Sequence, residues 1–269
     1  MTTKRINERV VSGLRRFQPV LIAARNKDIG EADTVTIIKD ILTEVFGYDK
    51  YNEITSEFAI RGTYCDLAIR LDSKLILLIE AKAIGIELKD SHVKQAVDYA
   101  ANQGVDWVVL TNGLVWKVFH IIFAKPIDQE LVIDVNLTEL NPRSVKDLDT
   151  LYLLCKEAWQ KSALGEYRTQ RMALSRFLLG AIIQSPPVLE VVRRELRRVS
   201  PNVKLELDEI RSALTNEVIK REVLEGDKAV EASKKVSKAA TKALRKVQLQ
   251  DDPVVVGPGS MEGRDGGEK

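Results

Sequence analysis

The chain has 269 residues, 45% hydrophobic and 30% charged, with a formal net charge of +2. That balance is normal for a soluble protein with one or two packed domains. No apolar run approaches a membrane span, the polar start MTTKRINERVVSGLRRF lacks the core of a secretion signal, and two cysteines make no disulfide framework, so a reducing cytoplasm and no membrane partner are expected.

In chain order, residues 1–29 read as one or two helices, with Pro19 marking a break or a start. Residues 31–46, EADTVTIIKDILTEVF, carry a helical apolar stripe that Gly47 ends. Three strand-like runs follow at 52–60, 63–71 and 74–84, with turns at Arg61-Gly62 and Asp72-Ser73. Residues 89–103 read as a helix and 105–110 as a buried strand. TNG at 111–113 is a turn, 114–123 the returning strand, and 131–137 an edge strand. Helix, antiparallel meander, crossover helix, strand, strand predicts an α/β fold with a mixed sheet.

After Pro142 the pattern turns helical: 144–163, 168–184, a helix opened by Pro186-Pro187, another in 207–224, and an Ala/Lys-rich helix over 227–249. The expected division is an N-terminal helical segment (1–29), a catalytic-type domain (30–142), a basic helical extension (143–249) and a disordered tail (250–269). Residues 1–150 hold 19 basic and 22 acidic side chains, whereas 151–250 hold 20 and 12. Such asymmetry points to a polyanion partner for the C-terminal part, or to a solvated helical surface.

The chemistry is concentrated at LLIEAK, 77–82. An apolar run leads into Glu80 and Lys82, which share one face of the strand because side chains alternate. A buried charge needs a partner or a metal. Asp66, on the preceding strand, comes near Glu80 if the hairpin register pairs them. Two converging carboxylates accept a cation, and Mg²⁺ is suited to few carboxylates plus water and phosphate oxygens. A lysine beside it can orient water and offset charge on a phosphate. The plainer reading of a lone Asp…Glu-x-Lys is a salt bridge at the end of a strand. Two His and two Cys at wide spacing argue against zinc.

EADTVTIIKDILTEVFGYD (31–49), DLAIRL (66–71), LLIEAK (77–82), QAVDYA (95–100) and WVVLTNGLVWKVF (107–119) together resemble the PD-(D/E)XK nuclease superfamily, and more narrowly the N-terminal nuclease domain of type I restriction enzyme R subunits. The resemblance covers roughly residues 30–125. It implies a restriction-endonuclease-like mixed β-sheet flanked by helices, here followed by an all-helical extension. It implies Asp66 and Glu80 as metal-binding acids, Lys82 as the catalytic lysine and Glu31 as a helix acid near the metal or its water. Gln95 and Tyr99, four apart on the crossover helix, would steady a phosphate or the lysine. Cys65 stands where the motif's proline is usual. The plainer reading of Glu31 is a helix N-terminal acid, and that of Tyr99 a partly buried phenol with a polar neighbour. Asn112-Gly113 read as a turn, and Trp107 and Trp116 as core.

No Gly-x4-Gly-Lys-Ser/Thr loop is present, so a stand-alone domain without the ATP-driven motor is expected. The expected activity is Mg²⁺-dependent (Mn²⁺ as substitute) DNA hydrolysis, with RRELRR (193–198) and KKVSKAATKALRK (234–246) on the DNA backbone and specificity left to a partner protein. The alternatives are a catalytically silent nucleic-acid-binding or assembly protein on the same fold, or a nuclease for RNA or branched DNA. A stripe at Ile210, Leu214, Val218 and Ile219 leaves a homodimer open.

Overall fold

A computed structural model describes residues 3–60 and 63–248. The expected Arg61-Gly62 turn and the expected tail at 250–269 lie outside the described residues. The chain divides into two compact units, Met1–Arg168 and Thr169–Lys269.

The first unit is built on one six-stranded mixed sheet, in the order β1-β2-β3-β4-β5-β6. The strands are β1 (Ile54–Ile60), β2 (Thr63–Leu71), β3 (Lys74–Ala81), β4 (Trp107–Thr111), β5 (Val115–Ile122) and β6 (Asp128–Asn136). Only β3 and β4 run parallel; all other neighbours are antiparallel. A parallel pair needs a crossover, and helix α3 (Asp90–Gln103) supplies it. This is the α/β architecture expected from the sequence, with the terminal strand β6 longer than the run at 131–137 suggested.

Two apolar layers flank the sheet. One contains Leu67, Ile69, Leu77 and Ile79 with Leu14 and Leu21 of α1 (Lys4–Asn26) and Ile38 and Ile41 of α2 (Glu31–Glu44). The other contains Ala68, Leu78 and Val108 with Val93, Ala96 and Ala100 of α3. Strand β3 is covered on both sides, which is why it reads as a continuous apolar run rather than an alternation. Helices α4 (Val145–Tyr152) and α5 (Lys156–Gln160) return to the first layer through Leu151 and Cys155. Arg9 on α1 clamps them there. Its guanidinium donates to both oxygens of Glu157, at 2.7 and 2.8 Å, and to the carbonyls of Val45 and Phe46. The bond to Glu157 raises the pKa of Arg9 and lowers that of Glu157.

Helix α2 stops as expected. Tyr48 N–H bonds to the Leu42 carbonyl, closing the last turn through Gly47 at φ +83°. Two expectations fail. Pro19 neither breaks nor starts α1, which runs through it. The buried stripe Val10, Leu14, Phe17, Leu21 anchors both halves of the helix to the core, and that packing outweighs the local defect. The helices expected at 144–163 and 168–184 are each split, giving α4 and α5, then α6 (Ala163–Ala173) and α7 (Arg176–Ile183). The breaks fall where local bonds compete with the helix: Cys155 N–H turns to Tyr152 O, and Ser175 caps α7 by accepting from Leu178 N–H.

The second unit also holds α8 (Pro186–Val199), α9 (Leu207–Ala213), a π-helical turn (Leu214–Val218), α10 (Arg221–Leu224) and α11 (Asp227–Gln248). Of the apolar stripe noted there, Ile210 is buried within the unit and Val218 is exposed. No helix among the described residues is long and apolar enough to cross a membrane.

Pro19 is exposed, so Pro19→Ala restores an interior N–H donor without disturbing the core. The expected outcome is a gain of about 1–3 kcal/mol, read as a higher urea midpoint at unchanged slope. An equal or lower midpoint would contradict the account of α1 as a helix that tolerates, rather than uses, its proline.

Candidate active site

Strand β3 ends at Ala81, but its pairing with β4 extends one residue further: Lys82 N–H donates to the Thr111 carbonyl at 2.8 Å. The position of Lys82 is therefore fixed by sheet hydrogen bonding. On the other side, Leu67 pairs with Ile79, so one step along the antiparallel register Asp66 comes opposite Glu80. The Asp66 carboxylate accepts the Ala81 N–H at 2.7 Å, which holds it at the end of β3.

Glu80 is 2% exposed. Alternation along β3 puts it on the same side as Leu78, facing the α3 layer. One carboxylate oxygen, Oε1, accepts from Lys82 Nζ at 2.6 Å. The other, Oε2, is buried and finds no hydrogen-bond partner among the described residues. Lys82 Nζ also lies 4.0 Å from Glu31 Oε2, whose side chain is half exposed at the first residue of α2. Glu31, Asp66, Glu80 and Lys82 thus converge from α2, β2, β3 and the residue after β3.

The charges in this cluster act on one another. Burial pushes the Glu80 carboxyl above the usual range. The Lys82 hydrogen bond opposes that, and the charges on Asp66 and Glu31 reinforce it. Burial works against the Lys82 ammonium. The hydrogen bond to Glu80 and the charges of Glu80, Glu31 and Asp66 outweigh it, and Lys82 is held above its ordinary value. One lysine therefore faces three acids, and the donor set of the site is oxygen-only apart from that lysine. Cys65 lies beneath it, fully buried, with its thiol pushed up to about 12 by burial and by Glu80. A thiol so held is not a nucleophile at neutral pH.

Three further residues lie around the cluster, of which the sequence had singled out only Asn112, as a turn residue. Thr34 is buried in the inward stripe of α2; its hydroxyl donates to Gly30 O at 2.8 Å and accepts from Ile84 N–H at 3.1 Å. That bond ties the first turn of α2, and with it Glu31, to the segment just past Lys82. Asn112 in the β4–β5 turn donates to Ile86 O at 2.9 Å while accepting from Leu114 and Val115 N–H. It makes the expected turn and also pins the chain that leaves Lys82. Glu57 sits between the β1–β2 pairs Ser56–Leu67 and Phe58–Cys65, opposite Asp66, at φ +48°. A non-glycine residue there carries local strain of about 1–2 kcal/mol. The polar residue at an inward helical position was the available signal for Thr34; Glu57 offered none.

Gln95 and Tyr99 are bonded to each other, Gln95 Nε2 to Tyr99 Oη at 2.9 Å, on α3. Tyr99 packs half-buried against the α3 layer and Gln95 is exposed. No hydrogen bond from either to Glu31, Asp66, Glu80 or Lys82 is found among the described residues. Trp116 is core, edge-on to Phe46, and Trp107 packs on His120 and Trp159.

Residues 37–131 match the family model described as the type I restriction enzyme R protein N terminus (HSDR_N). The match contains Asp66, Glu80, Lys82, Gln95 and Tyr99 and begins after Glu31. No curated protein and no solved structure matches the chain. Over residues 37–131, then, the chain is similar to the N terminus of type I restriction enzyme R proteins.

Proposed function

We propose that the chain is a metal-dependent endonuclease hydrolysing DNA phosphodiester bonds, with Asp66, Glu80 and Lys82 as the reacting group and Glu31 beside them. The observation that carries this reading is the state of Glu80: a carboxylate 2% exposed, one oxygen on Lys82, the other without a hydrogen-bond partner among the described residues, and a second acid opposite it. Buried oxygens of a structural salt bridge are mostly satisfied, and two acids side by side favour a cation between them.

The donors are all oxygens, the type a hard cation takes, although among the described residues no three acids are gathered closely enough to hold an ion as they stand. Asp66 and Glu80, with Glu31 at the rim, would hold Mg²⁺, or Mn²⁺ in its place. When bound, that ion supplies Lewis-acid polarisation of the phosphodiester. The chain's own groups supply the rest. Lys82, fixed through its backbone to Thr111 and still 18% exposed at its side chain, can hold a water by an N–H donor and offset charge growing on the phosphate oxygens. Hydrolysis then joins that water's oxygen to phosphorus and breaks one phosphorus–oxygen ester bond. Glu31 would accept the attacking water's proton at its exposed edge, and the departing sugar oxygen would take a proton from solvent. Gln95 and Tyr99 belong to the substrate side of the site, where an amide and a phenol can bond a phosphate oxygen.

DNA is the substrate this reading takes from the family resemblance. Sequence choice is left to a partner protein, and a homodimer would bring two sites to one duplex. Cys65 and Cys155 are both buried free thiols, as a protein of the reducing cytoplasm would have.

The test is cleavage of supercoiled, linear and single-stranded DNA with Mg²⁺, Mn²⁺ or EDTA. Lys82→Ala and Glu80→Gln should each lower the rate at least about 100-fold, the scale of losing one electrostatic or acid–base group. Metal-independent cutting, or cutting that survives both substitutions, would exclude this site. Folded wild type that binds DNA without cutting it would favour the binding-protein alternative.

Stability gives a second readout. Because the folded pKa of Glu80 is raised, its protonated form is favoured by folding. That contribution is fully present below the ordinary value of 4.5 and is lost as pH rises through the folded pKa. In EDTA, Glu80→Gln should therefore raise the melting temperature at neutral pH and leave it unchanged or lower in acid. Adding Mg²⁺ should raise the melting temperature of wild type and not of the variant. A variant less stable than wild type in EDTA at neutral pH would mean that the ion pair, not the cation, is what Glu80 is for.

A further inference from the structure

The two basic runs of the second unit are not equivalent. On α8, three of the four arginines pair with the two glutamates of their own helix, Arg193 with Glu190 at 2.6 Å, Arg198 with Glu195 at 2.9 Å and Arg194 with Glu195 at 3.6 Å, while Arg197 enters no ion pair found among the described residues. On α11, residues 232–248 contain six Lys or Arg and no Asp or Glu. Lys234, Lys235, Lys238 and Lys242 are all exposed, and none enters an ion pair found among the described residues.

From this we infer that α11 is a DNA-backbone-binding surface, a lysine row that follows phosphates while α8 does not. The inference rests on the reading of the chain as a DNA-cleaving enzyme. Lys234, Lys238 and Lys242 recur every four residues, so they lie along one face, about 6 Å apart. That is close to two phosphate steps of about 3.4 Å along one strand. The opposite face is small and apolar. Ala229 and Ala232 are buried and Val236 is half-buried, where α11 packs on α7 and α10 within the unit. Where its side chains are described, the apolar side of the helix is covered by its own unit and its lysine face carries no bulky apolar residue to insert into a lipid surface. What it offers outward is uncompensated positive charge, complementary to a phosphodiester chain. Contacts of this kind hold and orient a duplex without reading its bases.

The experiment is anisotropy of a short labelled DNA duplex with the full chain across a salt series, in EDTA so that binding is read without turnover. Lys234→Gln/Lys238→Gln/Lys242→Gln should reduce the slope of log affinity against log salt by about 3, close to one unit per lysine. The matching Lys→Arg triple should keep the wild-type slope. Arg193→Gln/Arg194→Gln/Arg198→Gln on α8 should change it by less than about 1. Far-ultraviolet circular dichroism checks that each variant is folded. An unchanged slope in the lysine triple, a larger loss from the α8 triple, or wild type binding anionic vesicles but not the duplex would each overturn the assignment. Loss of the slope in a protein that proves unable to cut DNA would sustain the binding surface and remove only the catalytic reading.

Discussion

Everything at the site follows from placing a carboxylate where water cannot reach it. Glu80 is 2% exposed at the end of a strand covered on both sides. An isolated buried charge is costly enough that it is neutralised or paired. Here it is half paired: Lys82 satisfies Oε1, and Oε2 has no donor among the described residues. Burial above all keeps the pKa of Glu80 raised despite a lysine 2.6 Å away. Asp66 deepens it, since a second acid opposite the first favours either a proton or a cation between them. A site of this kind is a local departure from the consistency of the rest of the fold, the usual mark of residues selected for chemistry.

The scaffold is what makes that departure tolerable. Lys82 and Asp66 are both anchored by backbone amides of the sheet, through Thr111 O and Ala81 N–H. Around them, Thr34 binds α2 to the chain after Lys82, and Asn112 binds that same chain to the β4–β5 turn. On the far side of the core, the Arg9–Glu157 clamp holds α1, the end of α2 and α5 together. Each of these bonds acts on position rather than on charge at the site. Together they leave few ways for four charged side chains from separate elements to drift apart.

The sequence made the sheet and its acids legible. The apolar run 75–79 has the length of a doubly covered strand, but the Asp72-Ser73 turn alone would set Asp66 opposite Ile79; an irregularity between Ile69 and Arg70 shifts the register by one residue and brings Asp66 opposite Glu80, which the sequence did not announce. Helices were harder. The buried stripe carries α1 through Pro19, which no local propensity could foretell. The helices expected at 144–163 and 168–184 broke at Cys155 and Ser175, because turn and cap bonds there are local choices of polar atoms rather than interruptions of the apolar pattern. Thr34 and Glu57 stayed hidden for opposite reasons. Thr34 matters through a bond to a residue 50 positions away, and Glu57 through a backbone angle; neither leaves a trace in composition.

Charge distribution shows the same limit. Read as sequence, RRELRR and KKVSKAATKALRK look like equal claims on a polyanion. Read as structure, the glutamates at 190 and 195 lie within reach of the arginines on α8, whereas α11 has no acid after Glu231 among its described residues. Net charge sums over a segment, but a phosphate chain responds to the charge left free on one face. The same arithmetic applies at the candidate site, where one lysine serves three acids. There, free negative charge is what a cation would meet. The two units thus present opposite electrostatic requirements, one lacking positive charge at its site and the other carrying it uncompensated on its surface. On the proposed reading, a duplex would offer phosphates to the second and a divalent cation would supply what the first lacks.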